Sequence, residues 1–301
     1  MRVFFAVDGS SYSIDAVRQV GQLLSSSDEA AIYFAPPDVV IRHAVEADEM
    51  KRRAQQAISD AVVQEARARL PDGLAAKAAA IVVQHTPREG ILIEAENWKA
   101  DVIVVGARGL TPLDALLLGS VSKAVVHGAG RSVFVARPNP EHRRNQPLRI
   151  LYAFDGSTAC TAALRFAERF SLPANTEVIA ATVIEPMSVS ELPDWIVQRA
   201  RDADTEAMAQ GWEREHEAER RQAQQQLQEF MAKQPEPFRR AEALVLEGQP
   251  AEQILKLVAE RHVDLIVLGS VGKGMFERML IGSTSDKVLN HAPCSVLVAR
   301  G

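Results

Sequence analysis

Cysteine is nearly missing from this sequence. Two occur in 301 residues, Cys160 and Cys294, one in each half. That excludes a disulfide framework and a cysteine metal cluster, suits a reducing compartment, and leaves both to be read as small buried hydrophobes. Long apolar runs are missing too: none approaches the ~20 residues that a membrane-spanning helix needs. After Met1 the apolar stretch Arg2-Val3-Phe4-Phe5-Ala6-Val7 is broken at once by Asp8-Gly9-Ser10, too soon for a signal peptide. The expectation is a cytoplasmic protein without a membrane partner. Positive charge is not in excess. The net charge of −5 speaks against a dedicated nucleic-acid surface. Seven histidines are scattered without metal-ligand spacing, and His43, His127 and His291 have no evident partner. Neither a Walker A motif, nor a paired-carboxylate site, nor a Ser/His/Asp arrangement stands out.

What is present is repetition. Hydrophobic content of 47% and charged content of 24% fit a globular protein with a full core, and the length allows two domains. Arg2–Ser10 reads RVFFAVDGS and Arg149–Ser157 reads RILYAFDGS. Ala100–Gly109, ADVIVVGARG, returns as Val263–Gly272, VDLIVLGSVG. Gly119–Arg137 returns as Gly282–Arg300. The chain is two copies of one domain, with expected boundaries 1–138 and 148–301. The linker, 139–147, is rich in proline and polar residues that have nothing to pack.

Each copy alternates short apolar runs with longer amphipathic ones. Strands are predicted at 2–7, 30–35, 79–84, 102–105 and 132–136, and helices at 11–25, 44–70, 87–98 and 119–128. The second copy has strands at 149–154, 177–183, 241–246, 264–268 and 295–299. Continuous Val/Ile/Leu runs indicate buried parallel strands. The alternation indicates an α/β fold: two tandem doubly wound domains, each with a five-stranded parallel sheet flanked by helices. Ligands of such sheets lie beyond the carboxyl ends of the strands, at the switch in strand order. The closing strands are apolar and predicted to pair domain to domain, since each would otherwise be an exposed edge. Between 194 and 233 the second copy carries a long, very polar segment with a narrow stripe at Ala223, Leu227 and Phe230. It reads as a solvated helix or as a contact surface.

Two stretches carry chemistry. Gly106-Ala-Arg-Gly109, nine residues, then Gly119-Ser120-Val121-Ser122 follows the run Val102–Val105. Gly269-Ser-Val-Gly272, nine residues, then Gly282-Ser283-Thr284-Ser285 follows Leu265–Leu268. Each reads as a strand stopping at a glycine turn, a loop, and a helix whose first turn has small residues and hydroxyls. A helix N-terminus has unpaired N–H groups and a positive dipole end, and so receives phosphate. The bland reading is a tight strand–helix connection with glycines for packing, and a packing motif would duplicate equally well.

The Asp-Gly-Ser strand ends, the two glycine stretches and the closing S-V-hydrophobic-V-A-R strands resemble the universal stress protein family in its tandem-domain form, over nearly the whole chain. The resemblance implies an adenine nucleotide alpha hydrolase-like fold and an ATP, AMP or ADP site in each copy, with Mg2+ as companion ion. Asp8 and Asp155 would lie near adenine or ribose. Gly106, Gly109, Gly119, Ser120, Val121 and Ser122 would cradle ribose and phosphates in the first copy. Gly269, Gly272, Gly282, Ser283, Thr284 and Ser285 would do so in the second. Arg108 and Lys273 would neutralise phosphate, or else be solvated loop residues. In the family, backbone groups at the end of the second strand line the adenine. Val183 fits that place, and counting from the Asp-Gly-Ser landmarks puts Pro36, which has no N–H, opposite it. The expectation is tighter ATP binding in the second copy. Three functions stand open. One is a nucleotide-dependent regulatory or binding module in stress response. Another is a slow ATP hydrolase or self-phosphorylating protein using Ser120, Ser122, Ser283 or Ser285. The third is a nucleotide-free scaffold dimerising through its last strands. Adenine nucleotide, intramolecular domain pairing and a homodimer are the expected partnerships.

Overall fold

The computed structural model describes residues 1–38, 47–84, 86–109, 118–138, 146–184, 203–272 and 281–300. In the first half the strands are β1 (Arg2–Val7), β2 (Glu29–Phe34), β3 (Ala79–Val82), β4 (Val102–Gly106) and β5 (Ser132–Ala136). Its helices are α1 (Ser11–Gly21), α2 (Ala47–Arg67), the short α3 (Asp72–Ala75), α4 (Pro87–Asn97) and α5 (Ser120–Gly128). The second half repeats the plan with β6 (Arg149–Ala153), α6 (Thr158–Ala167), β7 (Glu177–Ile184), α7 (Ala203–Ala232), β8 (Glu242–Glu247), α8 (Pro250–Arg261), β9 (Leu265–Gly269), α9 (Ser283–His291) and β10 (Ser295–Ala299).

The strands form one ten-stranded sheet in the order β3-β2-β1-β4-β5-β10-β9-β6-β7-β8. Within each half every described pairing is parallel. The halves meet where β5 and β10 pair antiparallel, with Phe134 opposite Leu297. The expected pairing of closing strands is thus realised as a shared sheet. β4, β5, β9 and β10 are buried along their whole length, which is why they read as unbroken apolar runs. One face of the sheet is covered by α1, α2, α6 and α7 through side chains such as Val17, Val63, Leu164 and Leu227. The other is covered by α4, α5, α8 and α9 through Ile91, Val125, Ile254 and Leu289.

Polar contacts hold the seam as well. The Ser171 N–H donates to the Leu23 carbonyl at 2.8 Å. Arg169 pairs with Asp101 at 2.9 Å. His127, in the last turn of α5, meets Asp286, in the first turn of α9, at 3.0 Å.

The polar segment of the second half is a helix over 203–232, and its stripe does bury: Leu227 is inaccessible and Phe230 packs on Tyr152 and Phe154. Residues 194–202 lie outside the described residues, as does most of the expected linker, 139–145. Both cysteines are buried and free, as expected. No helix among the described residues is long and apolar enough to cross a membrane.

Candidate nucleotide clefts

In each half β1 and β4, or β6 and β9, are neighbours although the chain passes through other strands between them. Their carboxyl ends therefore open the switch-point crevice. A cleft of about 790 Å³ lies there in the first half and one of about 830 Å³ in the second. Each is of the size that holds a small cofactor.

The start of each cleft is the Asp-Gly-Ser turn. Gly9 and Gly156 adopt φ +80° and +75°, a left-handed conformation open to glycine at little cost. Ser10 and Ser157 then cap α1 and α6 by accepting from the Ser13 and Cys160 N–H groups. Asp8 Oδ1 accepts from the Ser10 N–H at 3.0 Å and hydroxyl at 2.6 Å, and Asp155 Oδ1 from the Ser157 N–H at 2.9 Å. Each carboxylate is thereby turned across the glycine loop. A Cβ on Gly109 would lie 2.4 Å from Asp8 Oδ2, and one on Gly272 would lie 3.1 Å from Asp155 Oδ2.

The two remaining glycines of each stretch do different work. A Cβ on Gly269 would stand 2.7 Å from the Ala159 carbonyl carbon, and one on Gly106 would stand 3.2 Å from the Ser13 nitrogen. These glycines let the first helix of each half sit on the strand end, which is the packing role. Gly119 and Gly282 close the loop by donating to the carbonyls of Ala107 at 2.8 Å and Ser270 at 2.6 Å. They are also the N-caps of α5 and α9, and neither helix has a side-chain cap. The first-turn N–H groups of both helices have no intrahelical acceptor, and the residues that carry them line the clefts.

The profile of the universal stress protein family matches residues 1–137 and 148–300. The chain belongs to the universal stress protein family. A universal stress protein of Mycolicibacterium smegmatis is 28% identical over 209 residues, covering 69% of this chain and 64% of that protein. One from Mycobacterium tuberculosis is 31% identical over 218 residues, with the same two coverages. The match thus spans just under two thirds of those relatives' length. A universal stress protein of Archaeoglobus fulgidus has the same fold across 99% of this chain and 98% of its own, with a TM-score of 0.60 at 21% identity.

Most of the residues that the family resemblance singles out come together in the two clefts: Asp8, Gly106, Arg108, Gly109 and Gly119 to Ser122 line one, and Asp155, Val183, Gly269, Gly272 and Gly282 to Ser285 the other. Lys273 lies outside the described residues. Ser122 and Ser285 border the clefts, but their hydroxyls donate to the Gly106 and Gly269 carbonyls at 2.6 and 2.8 Å. They brace helix to strand end and are not free to donate to a ligand. Arg108 has its guanidinium beside Tyr12, 3.3 Å from the phenol oxygen and 5.4 Å from the ring centroid.

The placement of Pro36 opposite Val183 is corrected by strand register. Arg2 pairs with Glu29, 27 residues on, whereas Arg149 pairs with Glu177, 28 residues on. The second half has one residue more between its first two strands, so Val183 corresponds to Ala35 and Pro36 to Ile184. Ala35 has an N–H. The proline acts on the sheet instead: β7 runs on to Ile184, whose carbonyl accepts from Gly248, while β2 ends at Phe34 before the residue that cannot donate.

Some lining residues carry no sequence signal. Gln55 on α2 accepts from Gln84 at 3.0 Å and donates to the Pro37 carbonyl at 3.1 Å, strapping the wall of the first cleft. The second cleft has Glu219, Gln222 and Gln226 of α7 on its wall. On the same helix His216 contacts Glu247 at 3.3 Å. Each is one polar residue among many on an amphipathic helix. Cys160 also lines the second cleft, and burial pushes its thiol above the ordinary range, so it stays protonated. Among the described residues no group of three or more His, Cys, Asp or Glu is gathered to hold a metal.

Proposed function

We propose that each half of the chain binds an adenine nucleotide, ATP or its mono- or diphosphate, and that the protein acts in the cytoplasm as a nucleotide-dependent regulatory module in stress response. The observation that carries this reading is the pair of uncapped helix N-termini, α5 and α9, each opening into a cleft of cofactor size. A helix N-terminus amounts to about half a positive charge with its donors already aimed, so phosphate is the group it receives best. The hydroxyls of Ser120, Ser283 and Thr284 add donors. Asp8 and Asp155, acceptors only when ionised, suit the ribose hydroxyls. Apolar walls, with Phe34 and Ile58 in one cleft and Val183 and Ile254 in the other, suit the flat base. A divalent ion would enter with the phosphates. We take 1–138 and 148–301 as the binding units and 139–147 as their linker. A homodimer of whole chains would use surfaces other than β5 and β10, which already pair with each other.

The test is direct. Mass spectrometry of the supernatant released by heating the purified chain should find adenine nucleotide, and calorimetry of the emptied protein should find two sites. No bound nucleotide and no heat of binding would leave the scaffold reading. Sustained phosphate release that disappears in Asp155→Ala would instead indicate the hydrolase.

A further inference from the structure

Each half ends its last strand in an arginine, and each arginine serves the other half. Arg137, directly after β5, donates from Nη2 to the Leu289 carbonyl in the last turn of α9 at 2.7 Å. Arg300, directly after β10, donates from Nη2 to the Val126 carbonyl in the last turn of α5, also at 2.7 Å. The backbone repeats the exchange: the Arg137 N–H donates to Ser295 Oγ at 3.1 Å and the Arg300 N–H to Ser132 Oγ at 3.2 Å. Arg137 is 4% exposed. Its burial, with Arg108 nearby adding to the effect, lowers its pKa to about 10, so it is still charged at neutral pH.

We infer that Arg137 and Arg300 are positioning residues acting across the seam: Arg300 of the second half sets the phosphate helix of the first cleft, and Arg137 of the first half sets that of the second. The inference rests on the nucleotide reading above. The last carbonyls of a helix lack intrahelical partners, and a cation there both satisfies one and complements the dipole. α5 and α9 have nine residues each, so each moves as one short body. Anchoring the carboxyl end fixes where the amino-terminal N–H groups point. Neither arginine lines its target cleft, so any effect on binding is transmitted through the helix.

The assignment is tested by a crossed pattern in the full-length chain. Calorimetry with ATP is run in a Gly282→Val background, which leaves the first cleft, and in a Gly119→Val background, which leaves the second. Arg300→Ala should weaken ATP about three- to tenfold in the first background and change it less than about twofold in the second. Arg137→Ala should do the reverse. Arg→Lys at either position, which retains the charge, should recover part of the loss. Should the buried Arg137→Ala fail to fold by circular dichroism, Arg137→Lys and Arg300→Ala still give the two opposite arms. Arginine changes that weaken both clefts equally, or neither, would overturn the inference while leaving the nucleotide reading intact. Absence of ATP binding to the unmodified chain would overturn both.

Discussion

The two clefts share one frame at the end proposed to hold phosphate, the phosphate end, and part company at the opposite wall. At the phosphate end the equivalences are exact in role: Gly119 and Gly282 cap a helix without a side chain, Ser122 and Ser285 hold it to the strand end, and the aspartates lean over Gly109 and Gly272. At the wall, the first cleft has the neutral Gln55–Gln84 strap with Ile58 and Val62, and the second has Glu219, Gln222 and Gln226. The phosphate end is built mostly from backbone, which tolerates few residues, whereas the wall is built from side chains of one helix and can change without disturbing the sheet. Under the proposed function, common affinity for phosphate and separate preference for the rest of the ligand are expected from that division.

The most forceful way to break the comparison is to remove one phosphate end. Gly282→Val should cost the second cleft about tenfold or more in ATP affinity, on the basis of ~1.5–3 kcal/mol for hydrogen bonds to a charged group. The fold should survive, since a Cβ there would meet loop backbone only at 3.5 Å. Gly119→Val should do the same for the first cleft. Calorimetry should show one of the two sites weakened by that factor in each case, and unchanged affinity at both sites in the folded variants would refute the cradle.

A second measurement separates the packing glycines from these. Gly269→Ala forces a Cβ against backbone atoms at 2.7 and 2.9 Å, and Gly106→Ala against backbone at 3.0 and 3.2 Å. Overpacking of this kind costs ~1–3 kcal/mol, so Gly269→Ala should lower the unfolding midpoint in urea more than Gly106→Ala. The reverse order would show that the first helices are seated differently from the distances given.

The wall offers a finer test. Glu219→Gln removes a negative charge from the second cleft and should raise its affinity for ATP about two- to fivefold at low salt, the gain shrinking as salt screens it. An equal gain for an uncharged nucleoside would point to the base rather than the phosphates as the group that senses Glu219.

The smallest effect concerns the seam. Burial raises the Asp101 pKa, but hydrogen bonds from the Arg2 N–H and Arg169 outweigh it and hold the carboxyl below its usual value of 3.8. A depressed carboxyl stabilises the fold above its unfolded pKa and loses that contribution as pH falls through the folded one. The stability difference between the unmodified chain and Asp101→Asn should therefore shrink below about pH 3.8. The pair is partly exposed, so about 1 kcal/mol or less is at stake, and a difference independent of pH would remove Asp101 from the acid response.

Much of the fold was legible because buried parallel strands announce themselves. The run at 102–105 becomes β4 with Gly106 added, and 132–136 is β5. The long α7 was legible as a helix from the stripe at Ala223, Leu227 and Phe230, but its packing on its own sheet was not, because the polar residues around that stripe read as a solvated helix or a contact surface. What escaped has physical causes. Counting forward from Asp-Gly-Ser crosses the connection between α1 and β2, or α6 and β7, and a loop absorbs an extra residue at little cost. Such counting therefore sets Pro36 against Val183, one residue from the true register. Gly106 and Gly269 look like ligand glycines in sequence, because close approach to a helix and close approach to a phosphate both require a missing side chain. The trade of Arg137 and Arg300 was illegible because it depends on which strand pairs with which across the seam.

The contact between His127 and Asp286 is one-sided: the mirror-related positions hold Lys123 and Asn290. Two identical subunits could not make such a contact only once, because a twofold axis repeats every pair. Covalent tethering lifts that obligation. It also makes the association of the halves first order, so dilution does not separate them. Each half needs to fit a single fixed neighbour and can drift in its own direction, and a substitution at any position is felt once rather than twice. In such a chain the left and right halves are free to become different receptors while sharing one sheet.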